Sequence, residues 1–154
     1  MKKLLSILFI AVLFASCSSV DDNDSAPSIV GSWTLVELNA AIPIDLNNDG
    51  TADPNILKEL PCFKSNGAFT ADGKFLLTIS SVKAEEVNGV MVYTCDGSNV
   101  SSGTYVLSGD KLTTTTDGPE PETTTTTIDL SNEYLKTTMD AGNLGQLKAV
   151  FKRD

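Results

Sequence analysis

The chain has 154 residues, of which 11 are basic and 20 acidic, and its formal net charge is −9. It contains no histidine, which excludes Ser-His-Asp and Cys-His nucleophile systems and histidine-ligated zinc. The negative charge disfavours binding to nucleic acid phosphates and to anionic lipid headgroups. The length allows one domain with a hydrophobic core and is too short for two.

The N-terminus has the features of an export signal. Lys2-Lys3 precede an apolar run from Leu4 to Phe14, which is too short to cross ~30 Å of hydrocarbon as a helix. The small residues Ala15-Ser16 then lead directly into Cys17. This order resembles the signal and lipobox of a bacterial lipoprotein, with phenylalanine where that family usually has leucine.

The lipoprotein resemblance implies cleavage before Cys17 and attachment of acyl chains to this cysteine. We therefore expect a protein of the outer membrane, held by its lipid on the periplasmic or the cell-surface face. Loss of residues 1–17, with their two lysines, changes the net charge from −9 to −11. Residues 18–28 are acidic and poor in apolar side chains, which predicts a flexible tether, and residues 29–154 form the folded domain.

Two cysteines remain in the expected mature chain, Cys62 and Cys95. An exported chain meets an oxidising compartment, where an even pair of cysteines favours a disulfide bond. Closing a loop of about 33 residues contributes roughly 3–4 kcal/mol to stability. Two free, buried thiols are the alternative.

From Ile29 onward the pattern is that of β-structure. Runs rich in β-branched and aromatic residues alternate with Gly, Asp and Asn turn signals. Hairpin-type dipeptides stand at Asp72-Gly73, Asn88-Gly89, Gly109-Asp110 and Ser131-Asn132. The alternation breaks at Leu35-Val36, which predicts a bulge, and Pro54 predicts the start of a short helix through Leu60. The predicted strands are 29–38, 64–70, 74–83, 89–95, 102–108, 111–117, 123–130, 133–140 and 146–153.

This series of strands predicts an all-β fold, an antiparallel up-and-down β-barrel of eight or nine strands with one short helix after strand one. Closure into a barrel removes the strand edges that would otherwise aggregate. The threonine runs at 113–116 and 123–127 suit extended chain, and we expect them to present their hydroxyls to water. A glycosylated stalk is the alternative interpretation of these threonines.

Several short motifs resemble a known family. They are Gly31-x-Trp33, Asp45 to Gly50, Cys62, Phe69-x-x-Asp72-Gly73-x-Phe75, Gly103-Thr104-Tyr105 and Phe151-Lys152-Arg153. In this order and spacing they resemble the bacterial lipocalin-like domain of small lipoproteins, over residues 29–153. The resemblance implies a lipocalin-like barrel in which Trp33 closes one end and Arg153 packs over the indole, with Gly31 beside them. Such a cation–π contact is worth roughly 0.5–2 kcal/mol.

A loop with alternating oxygen side chains resembles part of a calcium site. Asp45, Asn47, Asp49 and Asp53 stand at loop positions 1, 3, 5 and 9, with glycine at position 6 and the backbone carbonyl of Thr51 available at position 7. Calcium takes six to eight oxygen ligands, which such a loop supplies. Position 12 is Ile56 instead of a bidentate glutamate, although Glu59 follows three residues later. The alternative is a turn-rich loop whose Asn and Asp side chains bind their own backbone.

The first functional hypothesis is a module that binds a small apolar ligand in the barrel lumen. The inward sets of residues predict a lining formed by Phe69, Phe75, Leu77, Tyr93, Tyr105 and Leu107, and core packing is the alternative role for these six. A resident cofactor is not expected, apart from calcium in the loop.

The second hypothesis is a protein-interaction or inhibitor module that captures a cationic partner at the cell surface, which the negative charge favours. An enzyme is the third, but no catalytic residue stands out and we expect none. A purely structural role in the envelope is the fourth. We expect a monomer that binds no nucleic acid and meets the membrane only through its lipid.

Overall fold

The computed structural model describes residues 26–142 and 145–154, and the expected signal, Cys17 and most of the tether therefore lie outside the described residues. The described chain is almost entirely β-structure. None of its helices has the length and apolarity that a membrane span requires. The elements are β1 (Gly31–Ile44), β2 (Asp53–Asn55), α1 (Ile56–Glu59), β3 (Ser65–Phe69), β4 (Lys74–Val87), β5 (Val90–Ser108), β6 (Lys111–Thr116), β7 (Thr123–Leu130), β8 (Tyr134–Asp140) and β9 (Gln146–Arg153).

The strands form one antiparallel barrel. From β3 to β9 each strand pairs with the next, and β1 closes the ring by pairing with both β3 and β9. The expected all-β up-and-down barrel is confirmed, with eight strands in the ring. The remaining strand, β2, is hydrogen-bonded only to β1 and lies outside the ring.

The short helix begins two residues later than the sequence predicts. Pro54 lies in β2, and the helix runs from Ile56 to Glu59. Asn55 caps it, because its side chain accepts a hydrogen bond of 3.1 Å from the backbone N–H of Leu57. An asparagine cap satisfies one of the N–H groups that the first turn leaves without a partner.

The prediction of two separate strands at 89–95 and 102–108 is wrong, because β5 runs without a break from Val90 to Ser108. The two predicted ranges belong to this one strand, and Asp96-Gly97 between them is a bulge. Ser80 pairs with Ser98 and Val82 with Cys95, so two residues of β5 stand opposite one residue of β4. The φ of Gly97 is 78°, which suits glycine.

The bulge expected at Leu35-Val36 is confirmed. Leu35 pairs with Phe151 and Glu37 with Val150, which leaves Val36 without a partner in β9. The extra residue turns Leu35 and Leu38 inward, and both are buried. The bulge therefore keeps apolar side chains on the core face along this strand.

The core consists of two clusters. The closed-end cluster comprises Ile29, Trp33, Leu112, Ile128 and Leu135. The α1 cluster comprises Leu35, Leu38, Ala40, Ile56, Leu147 and Ala149, and joins the helix to β1 and β9. Residues 26–154 thus contain a closed sheet and its core, which makes this segment a folding unit of its own.

Cys62 and Cys95 form a disulfide bond, with their Cα atoms 5.9 Å apart. The bond ties β5 to the segment between α1 and β3, across 33 residues of sequence. The expected bridge is confirmed, and the alternative of two free thiols is excluded.

Candidate ligand-binding site

One end of the barrel is closed around Trp33. This residue is only 1 % exposed, and its indole N–H donates a hydrogen bond of 2.8 Å to the carbonyl oxygen of Ile29. The guanidinium carbon of Arg153 lies 4.2 Å from the centre of the indole ring. Trp33 and Arg153 are directly opposite each other in the β1–β9 ladder, so the register of the sheet produces this contact.

Arg153 also ties two other backbone segments to β9 at this end. It donates hydrogen bonds to the carbonyl oxygens of Val30 and Asn132, both at 2.7 Å, and to that of Ser28. Gly31 makes room for the arginine, because a Cβ there would lie 2.6 Å from a guanidinium nitrogen. The φ of Gly31 is +138°, which other residues rarely adopt. The structure therefore brings Gly31, Trp33 and Arg153 together at one closed end.

A cavity of about 280 Å³ lies inside the barrel, next to Trp33. Its volume is close to the lower end of the ~300–1,000 Å³ that is typical of small-molecule sites. Most of its wall is apolar, and so the cavity suits a ligand that is driven out of water. The apolar part of the wall is formed by Trp33, Phe69, Phe75, Leu76, Leu77, Leu112, Ile128, Leu135, Met139 and Phe151.

Hydroxyl groups form most of the rest of the cavity wall, and sequence reasoning missed them. Four threonines contribute, Thr114 and Thr116 of β6, Thr126 of β7 and Thr137 of β8, together with Ser101 of β5. By strand alternation the threonines share the inward face with the buried residue of their own strand, Leu112, Ile128 or Leu135. Counting in steps of two from these three apolar residues was the signal in the sequence that could have identified the threonines.

The threonine runs thus have two faces instead of the single solvent face that the sequence suggested. Alternate threonines point away from the lumen and pair across β6 and β7. The hydroxyls of Thr113 and Thr125 are 2.9 Å apart, and those of Thr115 and Thr123 are 3.0 Å apart. Such cross-strand pairs add a small stabilisation to the sheet.

Three of the six predicted lining residues, Phe69, Phe75 and Leu77, contribute to the cavity wall. Tyr105 and Leu107 do not line the cavity, although both pack against the closed-end cluster. Tyr93 is on β5 beyond the bulge, where it pairs with Ala84 and lies away from the cavity. The sequence placed it in the lumen because it treated residues 89–95 as a separate strand of the wall.

Tyr105 is held in a structural position. Its hydroxyl donates a hydrogen bond of 2.9 Å to the carbonyl oxygen of Thr70, and its ring meets Phe69 edge-on at 5.0 Å between centroids. Burial, and secondarily the charge of Asp72, raises the pKa of its phenol. The neutral phenol that donates this bond is therefore the favoured form.

The loop after β1 uses its side chains to bind its own backbone. Asp45 accepts from the N–H of Gly50 at 3.0 Å, Asn47 from that of Asp49 at 2.9 Å, and Asp49 from that of Thr51 at 2.7 Å. These are the bonds of the turn-rich alternative. The other oxygen of Asp45 is buried without a hydrogen-bond partner in the described structure.

Asp53 is engaged away from the loop. Its carboxylate forms an ion pair of 2.8 Å with Lys58 and accepts from the N–H of Asn55 at 2.8 Å. The hydrogen bond from Lys58, followed by that from Asn55, lowers the pKa of Asp53. This ligand of the proposed calcium set is therefore already neutralised by a cation of the chain.

Glu59 joins the two ends of the loop. It is only 3 % exposed, and it accepts hydrogen bonds from the N–H groups of Leu46 at 3.1 Å and Asp53 at 2.9 Å. Within the described residues, no group of three or more Asp, Glu, Cys or His side chains has the geometry to hold a metal ion. Calcium binding by Asp45, Asn47, Asp49, Thr51 and Asp53 stays a prediction.

Comparison with known proteins agrees with the fold. No curated protein matches the chain. The model of one family, described as the lipocalin-like domain, matches residues 29–137, a range that ends before β9, the strand that closes the barrel and carries Arg153. The match covers well over half of the sequence, and the chain therefore belongs to the lipocalin-like domain family.

Proposed function

We propose that this protein is a lipid-anchored binding module of the bacterial cell envelope that holds a small apolar ligand in its barrel. The observation that carries the proposal is the apolar cavity of about 280 Å³ above Trp33. Lipocalin-like proteins generally bind or carry ligands and do not catalyse reactions. We propose the same for this chain.

The wall of the cavity indicates the kind of ligand. It carries no charged side chain, so an ionised group placed inside would lose its hydration without gaining a counter-ion. Hydroxyl groups of the four threonines and Ser101 are the polar groups of the wall, and they offer one or two hydrogen bonds. The site therefore suits a compact, uncharged, largely apolar molecule.

The anchoring proposal rests on the signal-like N-terminus, in which a short apolar run and the small residues Ala15-Ser16 precede Cys17. Fractionation of cells that express the chain or its Cys17→Ala variant tests the anchor. We expect the protein without the substitution to be found with the membranes and to carry a lipid, and the Cys17→Ala variant to carry none. A variant that still incorporates labelled fatty acid would contradict the proposal.

Ligand binding is tested with the uncharged fluorophore N-phenylnaphthylamine and purified residues 26–154. Thr114→Phe places a large side chain in the cavity, whereas Thr113→Phe places the same side chain on the outer face of the same strand. We expect saturable fluorescence enhancement that is lost in Thr114→Phe and kept in Thr113→Phe. Equal binding by both variants would contradict a luminal site.

The salt dependence of partner binding distinguishes the alternative, capture of a cationic protein. Luminal binding of an uncharged molecule is expected to change little between low and physiological salt, whereas an electrostatic protein partner weakens steeply as its charges are screened. A domain that binds no fluorophore but retains cationic proteins only at low salt would favour the interaction module.

A further inference from the structure

The wall of the barrel is incomplete between β7 and β8. These strands have eight and seven residues, yet they share only three pairs, the last of which is Ile128 with Thr137. By contrast, β8 pairs with β9 along its whole length, from Tyr134 to Asp140. Beyond Thr137, whose hydroxyl donates to the carbonyl oxygen of Thr127 at 3.1 Å, the two strands separate.

A second interruption of the wall, between β1 and β3, is filled. Their pairing stops at Thr34 and Asn66. Beyond that point β1 pairs with β2 instead, and α1 packs its buried Ile56 against β1 and β9. No described element packs in this way into the gap between β7 and β8, where an open groove of about 1,090 Å³ lies.

The groove and the cavity adjoin at the gap. Four residues line both of them, Thr126 and Ile128 on β7 and Thr137 and Met139 on β8. These residues stand on the two sides of the gap, at and just beyond the last pair. A molecule that leaves the groove between the two strands therefore passes directly into the lumen.

We propose that the gap between β7 and β8 is a lateral portal, through which the barrel takes up an uncharged amphiphile. The apolar part of the ligand lies in the lumen, and its polar end stays among the groove threonines. This inference rests on the proposed function and adds to it the route of entry and the chemistry of the polar end.

The groove gives the polar end its character. Threonines 124 to 127, 137 and 138 line it and supply hydroxyl groups that donate and accept. Its charged residues are of both signs, three aspartates and two lysines, and Lys136 is already 3.9 Å from Asp129. A hydroxyl or amide group is therefore matched better than a carboxylate or an ammonium group.

The portal is tested by locking the gap. Thr127→Cys with Thr138→Cys places two thiols at the positions where the next pair of the ladder would form, on the outer side of the wall. Thr113→Cys with Thr125→Cys is the matched control, because these residues already face each other across β6 and β7. Binding of N-phenylnaphthylamine to each oxidised double variant of residues 26–154 is then followed by stopped flow.

A portal controls rates and not equilibrium. We expect the lock to lower both the association and the dissociation rate by about tenfold or more, with the dissociation constant nearly unchanged, and the control bond to change neither. Unchanged rates in the locked form would overturn the portal. A larger dissociation constant with an unchanged association rate would also overturn the portal, because that result indicates that the lock has deformed the cavity.

A second variant serves in case the introduced thiols do not oxidise. A bulky maleimide coupled to Thr138→Cys stands in the groove, whereas the same group on Thr113→Cys stands outside it. We expect slower association only for the first, and equal rates would overturn the portal. An unmodified domain that binds no fluorophore would overturn the proposed function, and the portal with it.

The chemistry of the polar end is tested by competition. Decanol, decanoate and decylamine share one chain and differ in the charge of the head group. We expect decanol to displace the fluorophore at the lowest concentration. Displacement by decanoate or decylamine at a concentration about tenfold lower than decanol, which is ~1.4 kcal/mol in binding, would refute the preference for an uncharged end.

Discussion

Arg153 is expected to contribute more to stability than any other charged side chain at the closed end. Replacing it with alanine removes the cation 4.2 Å from the indole of Trp33 and three hydrogen bonds, to the carbonyl oxygens of Ser28, Val30 and Asn132. These contacts join the chain before β1 to the turn between β7 and β8. Their loss opens the closed end at both places.

The magnitude follows from the contacts. The cation–π contact is worth roughly 0.5–2 kcal/mol, and each hydrogen bond contributes roughly 0.5–1 kcal/mol at this partly exposed site. We therefore expect Arg153→Ala to lower the free energy of unfolding by about 3 kcal/mol. Arg153→Lys keeps the charge but not the planar fork of donors, so we expect about half of that loss.

Urea denaturation of residues 26–154, followed by tryptophan fluorescence, measures the effect directly, because Trp33 is the single tryptophan and lies under the arginine. Lys152→Ala is the matched control. It removes a positive charge from the same strand at an exposed position, and we expect a change below about 0.5 kcal/mol. A loss under about 1 kcal/mol for Arg153→Ala would refute the role assigned to this contact.

Three further predictions concern the disulfide, pH and calcium. Cys95→Ser is expected to cost roughly 3–4 kcal/mol in urea denaturation, and a cost below about 1 kcal/mol would contradict the bridge's role. The pKa of Asp72 is lowered and that of Tyr105 is raised, so the folded state favours the carboxylate of Asp72 and the neutral phenol of Tyr105. We therefore expect a free energy of unfolding that is flat from about pH 5 to 9, falls at lower pH as Asp72 is protonated, and falls at higher pH as Tyr105 ionises. A urea midpoint that changes near pH 7 would contradict this. The calcium hypothesis predicts a Tm that rises with calcium and falls with a chelator, with no response in Asp45→Ala; an unresponsive parent domain would refute it.

The sequence predicted the order of the strands well, because alternation and turn dipeptides are local signals. It failed between Cys95 and Ser102, where it predicted a break between two strands and the structure has a bulge at Asp96-Gly97 within one strand. Pairing with an equally extended β4 decides between a break and a bulge, and that pairing is not local. The placement of Tyr93 in the lumen failed for the same reason.

The site was predicted in part. Phe69, Phe75 and Leu77 follow from alternation on β3 and on the first part of β4, which the sequence predicted, although β4 continues to Val87 instead of ending at residue 83. The lumen threonines were missed because identical residues do not themselves distinguish two faces, and the alternation that begins at Leu112, Ile128 and Leu135 has to be extended into them. The gap beyond Thr137 could not be predicted, because it depends on how far two neighbouring strands continue to pair, and nothing in the residues of β7 or β8 sets that length.

A native mass spectrum of residues 26–154, exported to the periplasm of an expression host, shows whether the barrel carries a ligand. We expect a mass excess that corresponds to a small uncharged apolar molecule, lost in Thr114→Phe and retained in Thr113→Phe. A bare mass for the parent domain, even after incubation with decanol, would contradict a ligand-binding barrel.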